Sequence, residues 1–234
     1  QVDRLMTTLP PPPPLEALPA GTRLRAGLGH STVLPDLDFE TYSEAGMVFD
    51  PTTQRWHGPP GAPGSTKGLP VVGARIYAEH PSTEVLCLAY DLKDGRGRRQ
   101  WRPGLPWPAD LFHHVWHRGL LEAWNVGFER WIWELVCVPR MGWPEVHPSQ
   151  WRCAMAKARA FSLPGSLDKA GAVLSTKVRK GEDGRRLLTK FSMPRNPTKT
   201  DSRRRVYPMW TFDASIVGTM KPAQLKTYQQ DAND

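Results

Sequence analysis

Polar and apolar residues alternate through Leu37-Asp38-Phe39-Glu40. A period of two predicts a strand, with Leu37 and Phe39 on one face and Asp38 and Glu40 on the other. Residues 51–70 are dense in Gly and Pro and read as a loop. Glu84 to Leu92 is rich in apolar and β-compatible residues and reads as a second strand. "KDGRGRRQ" turns it back, and "WRPG" begins a short return. The chain therefore opens with three strands joined as antiparallel hairpins. "PADLFHHVWHRG" follows as a helix, with Pro108 near its start and Gly119 at its end. "LLEAWNV" is a short apolar strand. In "GFERWIWELVCVPRMG", Phe128, Trp131, Ile132, Leu135 and Val136 fall at helical spacing, which predicts an amphipathic helix with that stripe inward. "SQWRCAMAKARAFSLPGSLDKAGAVL" reads as two helices broken at Leu163-Pro164-Gly165. Residues 177–206 form a basic stretch, read as a loop around a short helix. "KPAQLKTYQQDAND" ends the chain as a helix with Pro222 in its first turn. Strands first, then strands alternating with helices, predict a mixed α/β domain around one central sheet.

Composition narrows the classes. A length of 234 residues suits one sizeable domain, with residues 1–33 as a tail. The five prolines Pro10 to Pro14 favour extended polyproline II and a spacer role. No apolar run approaches the length of a membrane span, and the first residues lack an apolar signal core, so an intracellular, cytoplasmic protein is expected. Cys87, Cys137 and Cys153 are widely separated and odd in number, which suits core packing better than disulfides or zinc. The net charge of +8 favours a polyanionic partner such as nucleic acid. Most of the ten tryptophans are expected to fill the core. His113 and His117 in "HHVWH" have metal-ligand spacing, but no third ligand follows, so they are expected at the surface.

The carboxylates are the informative residues. Burying Asp38 and Glu40 together on one strand face is costly unless a cation neutralises them, and hard oxygen ligands suit Mg²⁺ or Mn²⁺. An isolated Asp-x-Glu is equally well explained by a wet strand end. Further on, "WNVGFER" places Asn125 and Glu129 four apart at a strand-to-helix junction. Glu129 there also suits the helix dipole, and Asn125 a turn or cap. Near the end, Tyr228 and Asp231 lie three apart on the last helix, which on its own would be an ordinary solvated face.

Taken together and in this order, these motifs resemble the 3′–5′ exonuclease superfamily with four acidic ligands. More closely, the chain resembles the proofreading exonuclease domain of phage-type family A DNA polymerases. The resemblance runs through "LDFETYSEA", "GARIYAEHPSTEVLCLAYDL", "AWNVGFERWIWE", "WRCAMAKARAFSLPGSLDKAGAVL" and "GRRLLTKFSMPR", and covers most of residues 34–234. It implies a ribonuclease H-like mixed sheet flanked by helices. It implies that Asp38, Glu40, Glu129 and Asp231 bind two divalent ions, with Asp38 bridging. Two such ions about 3.5–4 Å apart clamp the attacking and leaving oxygens of an in-line displacement. The expected substrate is DNA with a single-stranded or frayed 3′ end. Asn125, Thr41, Phe128 and Phe39 near the site, with Lys180, Arg185 and Arg186 from the basic stretch, are the candidates for contact with the strand. Alternation sets Phe39 opposite Asp38, which favours the core over a wedge at the terminal base. The family pattern places a water-orienting tyrosine four residues before the last acid. Here Thr227 holds that position and Tyr228 is one step on, which rotates the phenol by about 100°. Asp234 is an alternative ligand. A polymerase domain in cis is expected downstream, and a monomer is expected. A binding module with an impaired site, or an RNase on the same fold, are the competing readings.

Overall fold

Leu37 and Phe39 are buried and Asp38 is exposed in β1 (Asp36–Tyr42), as the alternation requires. A small hairpin follows, in which β2 (Val48–Asp50) pairs antiparallel with β3 (Arg55–His57). The Asp50 carboxylate holds the turn, accepting from the Thr52 N–H at 2.8 Å and the Thr53 hydroxyl at 2.6 Å. Helix α1 (Leu69–Glu79) leads into β4 (Glu84–Asp91) and β5 (Arg99–Trp101). Then come α2 (Ala109–Trp116), β6 (Leu121–Ala123) and α3 (Val126–Ile132). The last continues through a π-helical turn, Trp133–Cys137, into α4 (Val138–Met141). The strand β7 (Trp151–Cys153) and helices α5 (Ala154–Ala160), α6 (Leu167–Val173) and α7 (Glu182–Phe191) follow. This computed structural model describes residues 34–62, 66–176 and 182–207. The proline-rich tail, part of the basic stretch and the last predicted helix lie outside the described residues.

The main sheet has the order β5-β4-β1-β6-β7. β4 runs antiparallel to both β1 and β5, while β6 is parallel to β1 and to β7. This is a mixed five-stranded sheet flanked by helices, consistent with a ribonuclease H-like fold. Among the described residues, no helix is long and apolar enough to cross a membrane. The core is aromatic. Trp143 sits within 4.8–6.2 Å, centroid to centroid, of Trp101, Trp133, Phe112 and Phe39. The contacts with Trp101, Trp133 and Phe112 are edge-to-face, and such packing adds about 0.5–1.5 kcal/mol per pair beyond burial. The Trp133 indole N–H is satisfied by the Pro144 carbonyl at 2.7 Å.

Several elements differ from the sequence expectations. The segment before β4 is helical: Pro70 is tolerated in the first turn of α1. Gly73 (φ 75°, ψ 165°) then kinks α1 in a backbone region that only glycine enters readily. The supposed loop 51–70 contains β3 and the start of α1. Trp151–Cys153 belongs to the sheet and not to a helix. The α3 stripe is also rotated. Glu129, Ile132, Trp133, Val136 and Cys137 are the buried residues, while Phe128, Trp131 and Leu135 are only partly buried. The inward face therefore starts one residue later than predicted, a rotation of about 100°. His113 is buried, not superficial, and its ring stacks on His117 at 4.0 Å. Cys137 is buried, and Cys87 and Cys153 are partly so; all three are free thiols.

Candidate active site

The central strand and the start of α3 carry three carboxylates that sense one another electrostatically. Asp38 and Glu40 project from β1 opposite Ala89 and Cys87 of β4. A β-bulge between Glu40 and Thr41 ends this regular stretch. β6, parallel to β1, delivers the chain to Asn125 and α3, so Glu129 arrives in the first helical turn. Because the buried stripe of α3 begins at Glu129, the carboxyl points inward and is only 5% exposed. Its Oε2 atom is buried without a hydrogen-bond partner.

The electrostatics show how closely these groups sense one another. Burial pushes the Glu129 carboxyl up to about 8, and the negative charges of Asp38 and Glu40 push the same way. The backbone N–H of Glu129 opposes them. Burial likewise pushes the Cys87 thiol up to about 11, again with help from Glu40 and Asp38. A buried carboxylate oxygen without a donor, facing two further acids, is an unfavourable arrangement for a metal-free protein and a suitable one for a hard cation. Among the described residues, however, no three His, Cys, Asp or Glu side chains close into a complete metal-holding group. The fourth expected ligand, Asp231, and its companions Tyr228, Thr227 and Asp234 lie outside the described residues.

The other expected site residues separate into groups. Asn125 occupies the cap position of α3, yet its side chain makes no capping hydrogen bond. Its carbonyl accepts from the Phe128 N–H at 2.8 Å, and the residue is exposed. Phe128 is partly buried and meets the Tyr77 ring at 5.9 Å. Thr41 is buried and shares a 3.0 Å hydrogen bond with the Tyr77 hydroxyl, so it braces the site from beneath and does not face solvent. Phe39 is 3% exposed and packed on Trp133 and Trp143, which makes it a core residue and removes it from the strand-contacting set. Arg186 is exposed on α7, whereas Lys180 and the Arg185 side chain lie outside the described residues. In "HHVWH", His113 lies in α2 and His117 caps its end, with His117 Nδ1 hydrogen-bonded to the His113 carbonyl at 2.8 Å.

Tyr77 is the neighbour that the sequence did not disclose. It reaches Thr41 and Phe128 from α1, and its hydroxyl is held above its usual range by burial, with Glu40 adding to the effect. The signal was present in the "IYAEH" run, but the glycine and proline before it concealed the helix.

Comparison with known proteins adds one relative. Over 142 residues, 60% of this chain, the sequence is 29% identical to a protein of Bacillus phage SP02 named "DNA polymerase". Over that stretch the chain is similar to part of a phage DNA polymerase. The matched stretch covers 21% of that protein, so this chain spans about a fifth of its relative's length. No family model matches the chain, and no solved structure matches it.

Proposed function

We propose that this chain is a divalent-metal-dependent 3′–5′ exonuclease that removes nucleotides from DNA 3′ ends, the editing part of a family A DNA polymerase. The observation that carries this reading is the buried Glu129 carboxyl at the start of α3, whose Oε2 has no hydrogen-bond partner, held in the field of Asp38 and Glu40 on the central strand. The relationship to a DNA polymerase and the basic charge support it. Asp38, Glu40 and Glu129, with Asp231 as the fourth ligand, would hold two Mg²⁺ or Mn²⁺ ions. When bound, the ions supply an activated water and stabilise the departing 3′ oxygen. The chain's own residues hold the carboxylates in place: β1 fixes Asp38 and Glu40 on one face, and the turn at Asn125 sets the approach of Glu129. The Asn125 carboxamide and the Phe128 ring flank the position of the terminal nucleotide. A polymerase domain in cis and DNA as the partner belong to the same proposal.

The test is a time course on single-stranded DNA with Mg²⁺, with Mn²⁺ and with chelator, alongside Asp38→Ala. Metal-dependent release of mononucleotides, abolished in the variant, is expected. Undiminished hydrolysis by Asp38→Ala would overturn the ligand assignment. Intact DNA binding without hydrolysis would replace the enzyme by a binding module.

A further inference from the structure

A cavity lies just beyond the carboxylates along β1, and nothing in the nuclease reading uses it. Tyr42 and Glu44 from the end of β1 form one side of a cavity of ≈ 250 Å³. Phe49 and Trp56 from the β2–β3 hairpin form another, and Arg204, Arg205 and Tyr207 close it. The hairpin is fixed to this last segment through Asn196, whose carboxamide accepts from the Trp56 N–H at 2.6 Å and donates to the Trp56 carbonyl at 3.0 Å. Val206, between Arg205 and Tyr207, is buried and anchors this segment.

The lining is chemically specific. The Arg205 guanidinium lies 3.5 Å from the Tyr42 ring centroid and 4.3 Å from that of Tyr207, and forks onto Glu84 at 2.7 and 3.1 Å. Phe49 and Trp56 meet at 5.2 Å with tilted planes, and Arg204 lies 4.8 Å over Phe49 while hydrogen-bonding Gln54. Packing alone does not account for this arrangement. Arg205 Nε is buried with no hydrogen-bond partner, and four rings border open volume where a core would close. Flat aromatic and guanidinium faces are stacking platforms for bases, and an exposed arginine at the rim suits a phosphate. Glu44 offers an acceptor for base N–H groups and disfavours a phosphate inside. The volume lies below the range of about 300–1,000 Å³ usual for drug-sized ligands and suits a single base. Two residues along a strand is about 7 Å, so the cavity is within one or two nucleotides of Glu40.

We propose that this cavity is a subsite for one unpaired nucleotide of a DNA strand, with the base stacked on Trp56 and Phe49 and its phosphate at Arg204. The proposal rests on the DNA-binding part of the function proposed above. It is tested on the full chain in chelator, where binding is read without hydrolysis. Anisotropy of dye-labelled single-stranded oligonucleotides is followed while one abasic position is moved along the strand from the 3′ end. One position near that end should weaken wild-type binding about ten-fold. In Trp56→Ala the same position should have no further effect, while other positions behave as in the wild type. Arg204→Gln, which leaves the hairpin aromatics intact, should keep the positional effect and lower the salt slope by about 0.7, one single-strand phosphate. If all abasic positions are equivalent, or their losses simply add to that of Trp56→Ala, the subsite is absent. If the chain hydrolyses DNA but shows no such coupling, only the subsite is overturned. Coupling without hydrolysis would overturn the nuclease reading and leave the subsite standing.

Discussion

Replacing Glu129 by glutamine removes a group that the folded protein holds protonated near pH 7. In the unfolded chain this carboxyl has its ordinary value of 4.5; in the fold it is pushed up to about 8. Below about pH 4.5 the group is protonated in both states and contributes nothing to the pH dependence. Between 4.5 and about 8 the unfolded chain releases the proton and the folded chain keeps it, so stability falls as pH rises. Above that the loss is constant. At about 1.36 kcal/mol per pH unit, the full loss is on the order of 3–5 kcal/mol. Glutamine keeps the shape and carries no proton to lose. Urea unfolding in chelator from pH 5 to 9 should therefore show wild type and Glu129→Gln diverging, with the variant more stable by about 3–5 kcal/mol at pH 8.5. Mn²⁺ should stabilise the wild type at pH 8.5 and do much less for the variant, since binding to the ionised carboxylates favours the folded state. Parallel pH curves for the two proteins would refute the claim that Glu129 is buried against Asp38 and Glu40.

Substitutions at three further positions probe the frame. Trp143→Ala should cost about 3–5 kcal/mol in thermal or urea unfolding, whereas Trp143→Phe should cost clearly less, since the indole nitrogen is buried without a partner. Gly73→Ala should lose about 1–3 kcal/mol, because φ 75°, ψ 165° is a backbone conformation that a side chain strains; an unchanged urea midpoint would show that the kink is absent. Tyr77→Phe leaves the buried Thr41 hydroxyl unpaired and should cost about 1–2 kcal/mol by the same measurement.

How far the sequence disclosed the fold depended on the range of the interactions involved. The alternation of Leu37 to Glu40 and the junction at Asn125 were readable because local periodicity alone sets the faces. The antiparallel opening of the sheet was readable too, and "KDGRGRRQ" does turn β4 back onto β5, but the first connection is not a hairpin. β1 pairs with β4 across α1, and β2 and β3 form their own small sheet. β3 and β7 are three residues long, too short to show a period, and β7 exists only because β6 lies beside it. The α3 stripe was misplaced by one residue because Phe128 and Trp131 look like core residues. In the fold they lie at the edge, where Trp131 sits under Arg75 and Arg130. That rotation makes Glu129 an inward residue, so the environment of the key carboxyl was hidden although its identity was not. Tyr77 and the cavity around Trp56 depend on contacts between distant segments, which no local pattern records.

The central claim is that Asp38, Glu40 and Glu129 serve hydrolysis from a DNA 3′ end. Its most direct test is the polarity of the products. A 5′-labelled single strand is incubated with the chain and Mg²⁺ or Mn²⁺, with and without one phosphorothioate at the last linkage. The account predicts a ladder that shortens one nucleotide at a time from the 3′ end, delayed by the phosphorothioate and absent with Glu129→Gln. Internal cuts, release of the label as a mononucleotide, or an undiminished ladder from the variant would contradict it.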